Sequence, residues 1–276
     1  MTWHAALSLD YLVEDRRTVA RYLHKGPLRI LKSLYPEGDT ICHNVLVHPP
    51  GGLVGGDMLD MKVSVGAGSH GLVTTPGATR FYRSEAGLAT QQLHARIDDG
   101  ARLEWLPLEA IAYNQCDALN RAVFELAPTA ELMTWDITAL GLPATDQPFV
   151  QGTFRQHLEI PGVWLERGTM NGADTRLLNS PLGLAGQRCM ATLVFASGAP
   201  IAPDRLAQGL EAARECLEAH DLRWQAGVTA PHPQVMVLRV LAPVTEPAVQ
   251  LLKQVWVAWR QVMWQLGGTP PRLWNL

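Results

Sequence analysis

Three stretches decide the fold: Val65-Gly-Ala-Gly-Ser-His-Gly-Leu72, Ile97-Asp-Asp-Gly-Ala-Arg-Leu103 and Leu126-Ala-Pro-Thr-Ala-Glu-Leu132. Each leaves an apolar run, turns tightly through small residues and enters a second apolar run. Their first residues lie 32 and 29 positions apart (65 to 97, 97 to 126). A single strand–turn–strand unit cannot bury its apolar face alone, so units at that period stack on one another as layers. A shortened version, Ile160-Pro-Gly-Val-Trp-Leu165, begins 34 positions after the third.

Outward from these turns, alternating polar and apolar positions mark strands at 61–65, 71–75, 91–97, 102–106, 121–126, 131–137, 154–160, 163–167 and 190–195. The C-terminal third changes period. From Asp204, the residues Leu206, Leu210, Ala213 and Leu217 fall at helical spacing, and from Pro247 so do Leu252, Trp256, Trp259, Met263 and Leu266. Thr245 is placed to cap the second helix, Pro247 to lie in its first turn and Gly267-Gly268 to end it. Between them VMVLRVL (235–241) reads as a buried strand. The expectation is a mainly β protein, a stacked β-layer (helical β-sheet) architecture with two α-helices in the C-terminal region. It forms one unit over 1–276, with a β body at about 25–200 and a helix-containing part at about 203–276.

Composition excludes several classes. The chain has 276 residues, 47% apolar, with 23 basic and 26 acidic side chains and a net charge of −3, which offers a polyanion no general attraction. Nucleic acid is therefore not an expected partner. The N-terminus lacks a basic segment followed by an unbroken apolar one, and the apolar-rich stretch 249–266 is interrupted by Gln250, Lys253, Arg260 and Gln265. Neither a signal peptide nor a membrane partner is expected, and the location expected is the cytoplasm. Cys42, Cys116, Cys189 and Cys216 form no CxxC pair and read as buried apolar residues. Only 18% of residues are charged, against about 25% in ordinary soluble domains, which leaves surface for a partner to cover.

No GxSxG, HExxH, phosphate loop or GxGxxG after a strand occurs. The run His48-Pro-Pro-Gly-Gly-Leu-Val-Gly-Gly-Asp57 has the wrong spacing to cradle phosphate, so Gly51, Gly52, Gly55 and Gly56 read as turn or close-approach glycines. Thr74-Thr-Pro-Gly-Ala-Thr-Arg-Phe-Tyr-Arg83 offers hydroxyls at positions such as Thr75, beside Pro76, with no base to activate them. Its Arg80, Phe81, Tyr82 and Arg83 are the residue types favoured at protein interfaces. Nine histidines show no fixed-site spacing, so no fixed metal site and no catalytic residue is expected. Carboxylates are more informative. Asp57, Glu104, Glu109, Asp136 and Glu166 fall near repeat strand ends in runs that otherwise look buried, and a buried acid needs a partner, water or a cation. Arg102, Arg155 and Arg167 are the alternative partners.

Four ordered strings, HPPGGLVGGD (48–57), TTPGATRFYRS (74–84), LEWLPLEAI (103–111) and PRLW (271–274), closely resemble the UreD (UreH) family of urease accessory proteins, with agreement from about residue 27 to residue 276. Leu108, the segment 112–116 and the ending 274–276 depart from the usual pattern. The resemblance implies a non-catalytic maturation factor that binds the urease apoprotein and UreF. UreF in turn recruits UreG, a GTPase that binds GTP and carries nickel, in an assembly holding two copies of this chain. It also implies no tightly bound cofactor, only nickel in transit, and an internal wet passage for that ion. On that reading Asp57, Glu109, Asp136 and Glu166 line the passage with Glu104 in reserve, because weak oxygen ligands let nickel move where imidazole or thiolate would hold it. Arg80–Arg83 and the glycine-rich loop form or support a partner face, and part of the Trp-bearing helix remains available to UreF. Two rivals are an unrecognised all-β enzyme using Asp57 or Glu109 as acid or base, and a nickel-storage protein.

Overall fold

The computed structural model describes residues 2–275. Its strands in chain order are β1 (His4–Glu14), β2 (Arg17–Lys25), β3 (Arg29–Leu34), β4 (Ile41–Val47), β5 (Gly52–Leu53), β6 (Met58–Val65), β7 (His70–Thr74), β8 (Thr79–Phe81), β9 (Ala89–Ile97) and β10 (Arg102–Leu106). There follow β11 (Ala110–Ala112), β12 (Asp117–Leu126), β13 (Glu131–Leu142), β14 (Gln147–Pro148), β15 (Thr153–Ile160), β16 (Trp164–Asn171), β17 (Cys189–Ser197), β18 (Ala226–His232) and β19 (Val235–Ala242). The helices are α1 (Thr175–Asn179), α2 (Pro203–Glu218) and α3 (Thr245–Trp259). One sheet has the order β16-β15-β12-β9-β6-β1-β2, and a second has β18-β19-β17-β13-β10-β7-β4-β3, with the short strands β5, β8, β11 and β14 extending from β13.

The repeats are rungs of this stack. Val65, Ile97 and Leu126 are in-register neighbours in the first sheet, and His70, Arg102 and Glu131 are in-register neighbours in the second. The turns between them stack too, with the Gly68 N–H on the Asp99 carbonyl at 3.1 Å and the Gly100 N–H on Thr129 Oγ1 at 2.8 Å. The fourth repeat departs from the pattern. Its turn is too short to cross between sheets, so β15 and β16 fold back as an antiparallel hairpin with Ile160 opposite Trp164.

All nine marked strands are present, along with others the pattern did not mark. β1 and β2 form a hairpin whose turn residues, Asp15 and Arg16, hold φ of 48° and 66° without the Asn-Gly or Gly-Gly that usually marks such a turn. Helix α3 also differs in detail. Thr245 is its first helical residue and gives no side-chain cap, and the chain continues through a π-type turn, Arg260–Trp264, that ends at Gln265 in the left-handed region, before the two glycines.

Strand parity sorts side chains into two cores. Leu9, Met61, Leu93 and Phe154 of the first sheet face Val73, Leu103 and Leu132 of the second. On the second sheet's other side Leu72, Met133, Trp135 and Leu193 face Leu252, Trp256 and Trp259 of α3. The second sheet is therefore covered on both faces, which is why its strands read as unbroken apolar runs. The tryptophans of α3 lie inside this second core, so the helix shows solvent Glu246, Gln250, Gln254 and Val257 rather than an aromatic face.

A cluster of buried charge fixes the helical layer to the sheets. Glu104 of β10, fully buried, accepts from His70 Nε2 at 2.8 Å and from the Trp256 indole N–H at 2.6 Å, with Arg260 Nη2 3.3 Å away. Arg260, equally buried, forks onto Glu37 at 2.7 and 3.1 Å, and Glu37 meets His43 Nε2 at 2.9 Å. Burial pushes the Glu104 carboxyl up, but the His70 hydrogen bond and the Arg260 charge outweigh it and hold it below the ordinary carboxylate range. Burial keeps His70 low, so the neutral imidazole donates. Replacing Arg260 by Met leaves two buried carboxylates without their cation, a change expected to cost about 3–5 kcal/mol. Urea denaturation reads that loss; one under about 1 kcal/mol, the size of a surface pair, contradicts the latch.

Candidate functional site

Between the two sheets apolar packing is interrupted along one row. Gln91, Asn120 and Gln156 are neighbours in register on β9, β12 and β15. Opposite them lie Asp136 and Thr192, register partners on β13 and β17, with Thr138 beside Asp136. The hydrogen bonds run in one direction. The Thr79 hydroxyl donates to Gln91 Oε1 at 3.3 Å, Gln91 Nε2 to Asn120 Oδ1 at 3.1 Å, and Asn120 Nδ2 to Asp136 Oδ2 at 3.0 Å; Thr138 donates to the other Asp136 oxygen at 3.1 Å. Aligned donors of this kind reinforce one another and converge on the carboxylate. Beyond Asp136, the Thr192 hydroxyl donates to Glu166 Oε1 at 3.3 Å, and Glu166 Oε2 pairs with Arg239 at 3.1 Å.

Three cavities follow this row. The first, about 220 Å³, opens beside His48, Gly51, Thr75, Pro76 and Arg80, with Thr79 and Gln91 at its inner end. Those two also line the second, an interior space of about 30 Å³ that includes Asn120, Thr134 and Asp136. The third, about 540 Å³, lies at the opposite end and is lined by Gln156, Glu166, Thr192, Gln225 and Arg239. This polar track lies between the sheets with a surface cavity at each end: the first two cavities share Thr79 and Gln91, and the third meets the track at Thr192, the register partner of Asp136.

The sequence-derived acids separate by face. Asp136 and Glu166 belong to the track. Glu104 points the other way, into the helix-side latch. Half-buried Glu109 holds Thr79 through its backbone carbonyl, and its charge acts on Cys189 and Lys253, on the helix side. Buried Asp57 accepts from the backbone N–H of Trp3 at 2.8 Å and of Val54 at 3.0 Å, stapling the N-terminal strand to the glycine-rich loop. The arginine partners also differ from those expected: Arg102 pairs with Glu131, Arg155 with Asp117, and Glu166 with Arg239.

The two glycine motifs lie on each other. β5 pairs with β8, placing Gly52 beside Arg80 and Leu53 beside Phe81. A Cβ on Gly52 would stand 2.3 Å from Tyr82 Cε2, and Gly56 adopts φ of 87° against Thr2. Gly55 runs equally close to Ser84 and Ala86. Phe81 is core, edge-on to Phe154 at 5.4 Å, and supports the surface from beneath; Arg80 and Arg83 are exposed, and Tyr82 leans on Tyr113 at 4.9 Å. Thr75 braces its turn, accepting from the Leu108 N–H at 2.8 Å and donating to the Gly77 carbonyl at 3.0 Å. Burial pushes His48 down. Among the described residues no three His, Cys, Asp or Glu side chains group as a metal-holding cluster, and no helix is long and apolar enough to cross a membrane.

Gln91, Asn120, Gln156, Thr192 and Arg239 escaped the sequence reading. Their signal was available in part: Gln91 and Asn120 each stand six residues before a repeat anchor, Ile97 and Leu126, on the inward phase of their strands. Thr192 and Arg239 follow only from pairing across β17 and β19.

Burial pushes Asp136 up from 3.8 to about 6, and the negative charge of Glu166 adds to the rise, against the hydrogen bonds from Thr138 and Asn120. The folded protein therefore holds this proton more tightly than the unfolded chain, and the group lowers stability as pH rises from about 4 to about 6. Glu166→Gln removes the repelling charge, so carboxyl NMR titration of Asp136 is expected to give a lower value than in the parent. An unmoved titration would break the coupling between the two ends of the track.

The family model described as UreD urease accessory protein matches residues 4–275. A urease accessory protein UreD from Albidiferax ferrireducens is 62% identical over 276 residues, covering 100% of each chain. One from Variovorax paradoxus is 61% identical over 274 residues, 99% of each, and one from Methylibium petroleiphilum is 48% identical over 299 aligned positions, 100% of each. With the stacked-layer fold, these likenesses place the chain in the UreD family of urease accessory proteins.

Proposed function

We propose that this chain is a non-catalytic cytoplasmic maturation factor that conducts Ni²⁺ to the active site of apo-urease along the polar track. On this reading the urease apoprotein binds one side and UreF another, UreG loads nickel through UreF at the expense of GTP it binds itself, and two copies of this chain serve the assembly. The row of polar side chains between the sheets, with a surface cavity at each end, is the observation that carries the proposal. Arg80, Arg83 and Tyr82 beside the narrower cavity offer a partner face, backed by the glycine-rich loop.

The chemistry of the lining suits transit. Carboxamide oxygens and hydroxyls bind Ni²⁺ weakly, and the carboxylates at 136 and 166 supply attraction without the tight hold of a thiolate or imidazole set. The interior space, about 30 Å³, is far smaller than the cavities of about 220 and 540 Å³ at its two ends. An ion crossing there exchanges water for Thr79, Gln91, Asn120 and Asp136 oxygens in turn. The Asp57 and Glu104 carboxylates have structural partners, Glu109 holds Thr79 through its backbone carbonyl, and none of the three is a lining carboxylate of this passage.

Co-expression of urease with its accessory proteins and the Asp136→Asn, Glu166→Gln double variant of this chain tests the proposal. The complex is expected to assemble, and nickel per urease active site to fall severalfold at limiting nickel. Full nickel content in urease matured by the double variant contradicts conduction along the track.

A further inference from the structure

We infer that Arg239 is the release group of the wide end of the track: its guanidinium occupies Glu166, so an arriving Ni²⁺ gains that carboxylate only by exchange and cannot lodge there. This rests on the passage reading above and adds to it a device against retention.

Asp136, Thr192 and Arg239 stand side by side in register on β13, β17 and β19, so all three project from one face of the second sheet toward the same end of the track. Both oxygens of Glu166 are engaged there, Oε1 by the Thr192 hydroxyl and Oε2 by Arg239. The guanidinium is the mobile member of the set. Its side chain is 53% exposed against 20% for Glu166. It stands 5.4 Å from the centre of the Trp164 ring, which gives the cation a resting place beside the mouth. Its partner on edge strand β18 is Gly227, where a side chain would meet nothing within 4 Å, so the arginine has room to swing outward.

Charge decides the consequence. With Arg239 in place the Glu166 pair carries no net charge, and a divalent ion meets a cation at the mouth. With Arg239 gone, Glu166, Thr192 and Gln156 would present a carboxylate and neutral oxygens to one ion in a cavity of about 540 Å³. Such a set binds nickel more tightly than the neutralised pair does. The arginine holds affinity low enough for the ion to leave, and returns to the carboxylate once it has left.

The test is NiCl₂ binding to the full-length chain by equilibrium dialysis, with no urease present. Arg239→Gln is expected to bind one Ni²⁺ about tenfold more tightly than the parent, Arg239→Lys to bind like the parent, and the added change Glu166→Gln to abolish the gain. In the complete assembly, Arg239→Gln is expected to leave nickel on this chain and delay its appearance in urease. Equal affinity in Arg239→Gln and the parent, or a gain that survives Glu166→Gln, overturns the inference. If Asp136→Asn with Glu166→Gln lowers urease nickel while Arg239→Gln binds no tighter, the passage stands and the release role falls. If the double variant leaves urease nickel unchanged, the passage itself falls.

Discussion

A sheet covered on both faces must find a partner for every polar side chain it carries, and the second sheet here is covered on both. That constraint produces the two polar features of the interior. On the helix side, Glu104 is answered by His70, Trp256 and Arg260, and through Arg260 by Glu37. On the other side, Asp136 is answered by Asn120 and Thr138, while its register neighbour Thr192 donates to Glu166. One solution closes on itself and locks a layer in place. The other has a surface cavity at each end.

The difference between the two lies in where the arginine sits. The latch has a permanent cation at its centre, so its carboxylates are satisfied from within and a further cation has nothing to gain. The track has two carboxylates and mostly neutral donors, with Arg239 at the wide rim and half in water, Arg80 at the narrow mouth and Arg121 beside the interior space. Asp136 is left under-compensated, as its upward shift to about 6 records. An interior carboxylate in that condition attracts a cation, and a lining of amides and hydroxyls does not keep it.

The repeated turns at 65–72, 97–103 and 126–132 made the stacked layers legible, because period and punctuation are local properties. Which face an acid takes is not local. Glu104 pairs in register with Met133, three positions short of Asp136, and an odd offset sends the two acids to opposite sides of one sheet. No spacing within the sequence carries that register. The hairpin at Asp15-Arg16 was hidden for a related reason: two ordinary residues sit where glycine or asparagine announces a turn. The glycine-rich strings were legible as family marks, yet their residues mainly build the wall of the narrow mouth. Gly52 and Gly55 let one rung lie flat on the next, and Asp57 staples them to the N-terminus.

Anomalous scattering at the nickel absorption edge, from crystals of the assembly soaked in NiCl₂, asks whether nickel travels between the sheets. Partially occupied nickel peaks inside the molecule, between Gln91 and Glu166, are expected. Nickel found only on the outer surface or at partner interfaces, with none between the sheets, rules that path out.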